Sequence, residues 1–255
     1  MSRVAAIDCG TNSIRLLVAD VSENNFREIT REMEIVRLGQ GVDATGQFDP
    51  EAIERTLNAT KKYAEIIQSK GVEKIRFCAT SATRDASNRE IFISGVKEIL
   101  GIEPEVIPGT EEAALSFLGA TKELKHAQTP YLVVDIGGGS TEFVFGEDEV
   151  KFSRSVDIGC VRMAERHLKV SPPKPLEVQN AIVDIDKAIH QAEALVPIKE
   201  AKTLIAVAGT ATTVAAAALD LDSYDRHAIH LSRIPARKVL EIAQRFQLMN
   251  RDEIA

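Results

Sequence analysis

The chain has 255 residues, with 38 Asp and Glu against 31 Lys and Arg, for a formal net charge of −7. That balance argues against a dedicated nucleic-acid binder, which would be basic. With 5% aromatics and no Trp, stacking platforms for single strands are also scarce. Hydrophobic residues make up 44% and charged residues 27%, the mixture of a globular chain long enough for one or two cored domains.

No apolar run approaches the ~18 residues that cross a bilayer, and the start Met1-Ser2-Arg3 fits no signal peptide. The three cysteines, Cys9, Cys78 and Cys160, form no CxxC. Their odd number argues against a disulfide framework or a structural zinc site, and points to a reducing cytoplasm.

Strand and helix patterns alternate along the chain. Residues 4–8 and 14–21 read as apolar strands, and 26–38 as a third. Asp49-Pro50-Glu51 is a helix start, with Asp as cap and Pro in the first turn. Ile53, Leu57, Ala64 and Ile67 then share one face, and Gly71 ends the helix. Residues 75–79 form a short strand, followed by a loop that carries Arg84. Ser87-Asn88-Arg89-Glu90 reads as a capping box opening a helix that Gly101 closes. Thr110-Glu111-Glu112-Ala113 opens another, running to about residue 124.

A second series follows. Residues 131–136, 141–146 and 151–157 read as strands and 159–168 as a helix. After a proline-rich turn at 171–175, residues 176–195 read as a long helix. Residues 203–207 are a strand, Gly209-Thr210 leads into an Ala-rich helix, and 236–247 form an amphipathic helix. The chain therefore divides into domains 1–125 and 126–255.

The two series repeat one another. AIDCGTNSIRLLVAD (6–20) lies over VVDIGGGSTEFVFGE (133–147) at a constant offset of 127. Asp8 matches Asp135, Gly10 matches Gly137 and Ser13 matches Ser140, and apolar positions match on both sides. The pattern predicts two similar α/β domains facing each other across a cleft.

Each motif is a tight turn between two strands. Glycines there expose successive backbone N–H groups, a nest for phosphate oxygens. The first nest comprises Gly10, Thr11, Asn12 and Ser13. The second comprises Gly137, Gly138, Gly139, Ser140 and Thr141. Asp8 and Asp135 at the strand ends would repel phosphate, unless they hold Mg2+ or another divalent cation through its waters. The plainer reading, a glycine hairpin whose Asp caps turn amides, suits one copy better than two in register.

This constellation resembles the acetate kinase, sugar kinase, actin and heat-shock ATPase superfamily, and within it the exopolyphosphatase / guanosine pentaphosphate phosphohydrolase family. ATSATRDASN (79–88), IPGTEEAALSFLGA (107–120), GCVRM (159–163) and AVAGTATT (206–213) match further family landmarks in order, so the resemblance covers essentially the whole chain. It implies an α/β fold of two ribonuclease-H-like (actin-like ATPase) domains with an interdomain cleft. It implies a hydrolase that takes the terminal phosphate from inorganic polyphosphate, with guanosine pentaphosphate as the alternative substrate. It implies Glu112 as the catalytic carboxylate, Arg84 on the transferring phosphate, and Glu142 beside Asp135 and Asp8 near the metal. It also allows a homodimer, with no nucleic-acid or membrane partner. Longer family members add C-terminal helical domains absent here. That suggests short polyphosphates as substrates, and a second domain trimmed at its C-terminus.

Taken alone, Glu111 and Glu112 read as solvated acids at a helix N-terminus, Arg84 as a surface ion-pair partner of Asp85 or Glu90, and Glu142 as an outward-facing strand carboxylate. Cys9 and Cys160 read as small core residues. His227 and His230 have HxxH spacing on no clear helix, which argues against metal ligation. The rival functions are a kinase of the same superfamily, a non-enzymatic or polymerising actin-like protein, and a nucleotide or phosphate sensor that does not turn over.

Overall fold

The structure is a computed structural model describing residues 1–23, 25–124 and 127–254. The boundary expected between residues 125 and 126 lies outside the described residues. By internal packing the chain divides into two units, Met1–Glu112 and Ala113–Ala255.

In the first unit, β1 (Ser2–Cys9), β2 (Ser13–Ser22) and β3 (Asn25–Ile35) form an antiparallel meander. After α1 (Val42–Thr45) and α2 (Pro50–Ser69), β4 (Lys74–Ala79) adds in parallel to β1. Next come α3 (Ser81–Asp85), α4 (Arg89–Leu100) and β5 (Glu105–Val106), which gives the sheet order β3-β2-β1-β4-β5. Alternating residues of β1 and β2, among them Ile7, Leu16 and Val18, bury against Phe77, Tyr63 and Phe92. The Tyr63 hydroxyl, carried into this core by α2, donates to Ile14 O at 3.0 Å.

Local signals set most of these elements. Asp49 caps α2 as expected, its carboxylate accepting from Glu51 N at 2.8 Å. The capping box expected at Ser87–Glu90 does not form. Instead Ser87 Oγ donates to Gly46 O, and Asn88 exchanges hydrogen bonds with the backbone of Phe48. Arg84, expected on a loop, lies at the end of α3.

The row Arg3–Asp20–Arg27 crosses three strands in register. Asp20 is buried and accepts from Arg3 Nε at 2.7 Å and Arg27 Nη2 at 2.6 Å. Hydrogen bonds from Arg3, then from Arg27, hold its carboxyl far below the usual range. A depressed folded-state pKa stabilises above the unfolded value of about 4 and is lost as pH falls below it. The urea midpoint therefore falls between about pH 5 and pH 3, and Asp20→Asn flattens that slope. An unchanged slope in the variant refutes the assignment.

In the second unit, α5 (Gly109–Thr121), whose last nine residues belong here, precedes β6 (Tyr131–Ile136), β7 (Thr141–Gly146) and β8 (Val150–Val156). Then come α6 (Cys160–His167), α7 (Pro175–Glu193) and a 3₁₀ turn at Ile198–Glu200. β9 (Thr203–Val207) pairs in parallel with β6, giving the order β8-β7-β6-β9. α8 (Ala208–Ala218), α9 (Arg226–Ile229), α10 (Ala236–Phe246) and α11 (Arg251–Ile254) follow.

Strand alternation sorts this core into two faces. Leu132, Phe143 and Phe145 pack with Met163 of α6 and Ala188 and Ala192 of α7. Tyr131, Val133 and Val144 pack with Ala113 and Phe117 of α5.

The offset of 127 is a structural repeat. β1 and β2 pair Cys9 with Ile14, while β6 and β7 pair Ile136 with Thr141. In each unit a third antiparallel strand flanks the hairpin on one side and a parallel strand on the other. Two α/β units of the actin-like type, as the sequence predicts, are what the chain folds into.

Candidate active site

Both glycine turns close in the same way. Gly10 N donates to Ser13 O, and Gly137 N to Ser140 O, each at 3.0 Å. In both, the turn carbonyls face the next segment. Asn12 O accepts from Val36 N and Arg37 N, and Thr11 O from Gly39 N. Gly137 O accepts from Cys160 N, Gly138 O from Val161 N and Arg162 N, and Gly139 O from Arg162 Nε at 2.7 Å. Among the described residues the N–H groups of Thr11, Asn12, Gly138 and Gly139 donate to no protein acceptor. With their carbonyls tied back, these amides are available to an anion.

Two glycines outside the motifs permit this packing. A Cβ at Gly39 would stand 2.3 Å from Thr11 Cγ2, and one at Gly159 would stand 2.4 Å from Gly138 C and O. Of the expected hydroxyls, Thr11 is buried against Gly39, Thr141 Oγ1 donates to Ile158 O, and Ser140 Oγ donates to Glu142. In the second nest, backbone amides rather than the Ser140 and Thr141 hydroxyls carry the free donors.

In the first unit the neighbouring glutamates at the start of α5 diverge. Glu111 binds Arg76, which also binds Glu105. Glu112 Oε2 accepts from Arg84 Nη1 at 2.8 Å, and the same Nη1 donates to Ile107 O at 2.9 Å. Both side chains of the Arg84–Glu112 pair are largely buried. The two residues singled out for chemistry are therefore partners, and Arg84 pairs with neither Asp85 nor Glu90 as the plainer reading had it. Asp8 lies 3.5 Å from Arg15. Burial pushes the Cys9 thiol well above its ordinary range, with Asp8 adding to the shift, so Cys9 is a poor nucleophile.

In the second unit Asp135 and Glu142 stand directly opposite each other on β6 and β7. Ser116 of α5 donates to Asp135 Oδ2 at 2.6 Å. Ser140 and Ser155 donate to Glu142 Oε1 at 2.8 and 2.7 Å. Glu142 is 1% exposed, so it is not the solvated strand carboxylate of the plainer reading.

Opposed carboxylates repel, and a cation between them relieves that repulsion. Among the described residues no three His, Cys, Asp or Glu side chains gather as a metal cluster. Mg2+ needs no such cage, because it keeps several waters and binds through one or two carboxylates plus substrate phosphates. Asp135 and Glu142 fit that donor set. Asp8 fits it less well, since Arg15 already supplies a positive charge beside it.

The remaining candidates fall outside this chemistry. His230 Nε2 pairs with Glu123 Oε2 at 2.8 Å, and His227 sits in the four-residue α9. Cys160, expected in the core, is exposed at the start of α6. Gly209 and Thr210 open α8, where Ala208 is left-handed at φ 69°.

The model of the Ppx/GppA phosphatase family matches residues 17–255. The chain belongs to that family. Exopolyphosphatase 2 of Mycobacterium tuberculosis is 49% identical over 264 aligned residues, covering 100% of this chain and 83% of that protein. A guanosine-5'-triphosphate,3'-diphosphate pyrophosphatase of Photobacterium profundum is 34% identical, covering 75% of this chain and 38% of that one. The crystal structure of an exopolyphosphatase-like protein superposes with a TM-score of 0.96 at 45% identity, covering 99% of this chain and 79% of its own. No helix among the described residues is long and apolar enough to cross a membrane.

Sequence reasoning missed four contributors: Gly39, Gly159, Ser116 and Ser155. Gly159 opens the GCVRM segment that the family resemblance marks, which was a usable signal. Ser116 lies inside the IPGTEEAALSFLGA segment that the same resemblance marks, while Ser155 carries no signal at the level of motif.

Proposed function

We propose that the protein is an exopolyphosphatase that hydrolyses the terminal phosphoanhydride of inorganic polyphosphate and releases orthophosphate. The observation that carries this reading is the pairing of Glu112 with Arg84, in a chain 49% identical over its whole length to an exopolyphosphatase. A carboxylate that abstracts a proton from water, beside a guanidinium that takes up phosphoryl charge, is the pair a hydrolytic phosphoryl transfer requires.

On this reading the amides of Thr11 and Asn12 in the first unit, and of Gly138 and Gly139 in the second, are donors to phosphate oxygens. Arg84 turns its planar fork to the transferring phosphate, and Glu112 takes the proton of the attacking water. Asp135 and Glu142 would hold Mg2+ or another divalent cation, which when bound offsets the charge of the anhydride. Ser116 fixes the carboxylate of Asp135. The free cysteines Cys9, Cys78 and Cys160 suit a cytoplasmic setting.

The reading is tested by orthophosphate release with magnesium from tripolyphosphate, long-chain polyphosphate and guanosine pentaphosphate. Release from the polyphosphates, at a kcat/KM above that for the nucleotide, is expected. Preferred turnover of the nucleotide would instead align the chain with its pyrophosphatase relative. No release from any substrate would overturn the hydrolase assignment.

A further inference from the structure

Ser155 lies in β8 directly opposite Glu142, and Glu142 lies opposite Asp135. Opposed residues of an antiparallel ladder share a face, so the three form one polar row across the sheet. A buried carboxylate facing a second carboxylate keeps one orientation only if donors hold it. Glu142 Oε1 accepts two hydroxyls, from Ser140 at 2.8 Å and from Ser155 at 2.7 Å.

These donors are not equivalent. Ser140 belongs to the glycine turn, and a hydroxyl has a single proton to give. A phosphate oxygen bound at that turn competes with Glu142 for the Ser140 proton. Ser155 sits on a strand away from the turn.

The repeat supplies an independent comparison. The row at the same place in the first unit reads Asp8, Arg15, Met33. There the middle residue is a cation 3.5 Å from the aspartate, and the third is apolar. Only the copy in which two acids meet carries a serine at the end of the row.

We propose that Ser155 is a positioning residue for the reaction, holding Glu142 Oε1 in place when substrate draws the Ser140 hydroxyl away. The proposal rests on the phosphoanhydride-hydrolase reading and goes beyond it by assigning a role outside the glycine turns. Because Ser155 acts through Glu142, it sets turnover rather than substrate capture.

The test measures orthophosphate release from tripolyphosphate with magnesium for wild type, Ser155→Ala, Ser155→Thr and Ser155→Cys, and for Ser155→Ala in a Glu142→Gln background. Losing a hydrogen bond to a charged group predicts a fall in kcat of about tenfold or more for Ser155→Ala, with KM within about twofold. Ser155→Thr, which keeps the hydroxyl on a residue suited to a strand, restores kcat. In the Glu142→Gln background the Ala substitution costs less than about twofold, since residues acting as one unit are not additive. Wild-type kcat in Ser155→Ala, or an equal loss in both backgrounds, overturns the proposal. Should Ser155→Ala fail to fold by circular dichroism, Ser155→Cys keeps the volume with a weaker donor, and wild-type kcat in that variant overturns it equally. No release by the wild type overturns the hydrolase reading and this proposal with it. An active wild type beside an equally active Ser155→Ala overturns the proposal alone.

Discussion

Replacing Glu112 with Gln lowers kcat for orthophosphate release by about 10²–10⁴-fold, the range that general-base catalysis supplies, while KM stays level or falls. Glu112 Oε2 accepts from Arg84 Nη1 at 2.8 Å. A glutamine amide oxygen can accept the same bond, so the variant keeps the geometry and loses only the basic group and its charge. Arg84, still held by Ile107 O at 2.9 Å, then faces an anionic substrate without a competing carboxylate. Phosphate capture is therefore undiminished while water activation is lost. This split of kcat from KM separates a base from a binding residue. Glu111→Gln is the control: Glu111 is engaged by Arg76 together with Glu105, and its loss leaves kcat within about twofold. A Glu112→Gln enzyme within tenfold of wild-type kcat would remove Glu112 from the chemistry.

The pairing behind this prediction shows what the sequence could and could not carry. A helix start and a short segment after a strand placed Glu112 and Arg84 28 residues apart, and nothing in their spacing joins them. The contact forms because β4 and β5 run parallel, with Cys78 opposite Glu105 and Ala79 opposite Val106. That brings the segments following both strands to the same end of the sheet. β5 is two residues long and α3 five, too short for periodicity to reveal. The long elements and the twin hairpins were legible, because 127-residue repetition and apolar alternation extend over whole strands.

Ser155 failed to appear for a different reason. The hairpin of β7 and β8 pairs Gly146 with Val150 but Phe145 with Phe152, a register shift at the bulge. Counting back from the turn would set Glu142 opposite Arg154 and send Ser155 to the other face. Local rules were overridden at Ser87 and Asn88 as well. Both have good capping chemistry, yet they tie α4 to the 46–48 segment instead. A hydroxyl or amide takes whichever partner the packed chain offers, and sequence spacing lists only the near ones.

Gly159→Ala adds a methyl group for which the second glycine turn leaves no room. Its backbone is extended, at φ −156° and ψ 162°, a conformation open to any residue, so the requirement for glycine is one of space alone. The new Cβ would lie 2.4 Å from Gly138 C and O and 2.6 Å from Gly139 N, all backbone atoms that cannot swing aside as a side chain would. The turn must move, and with it the carbonyls of Gly137 and Gly138, which hold the amides of Cys160, Val161 and Arg162. Overpacking of this kind costs about 1–3 kcal/mol of stability. Displacing the amides by about 1 Å costs on the order of 10²-fold in kcat/KM. Gly119→Ala is the matched control: nothing lies within 4 Å of its Cβ on α5, so activity holds while stability rises by about 1 kcal/mol. Melting curves read beside orthophosphate release separate the two effects, because the loss of kcat/KM in Gly159→Ala persists well below its melting temperature. Wild-type kcat/KM in Gly159→Ala would mean that the turn at 137–140 does not bind the substrate, however well its amides are shaped for phosphate.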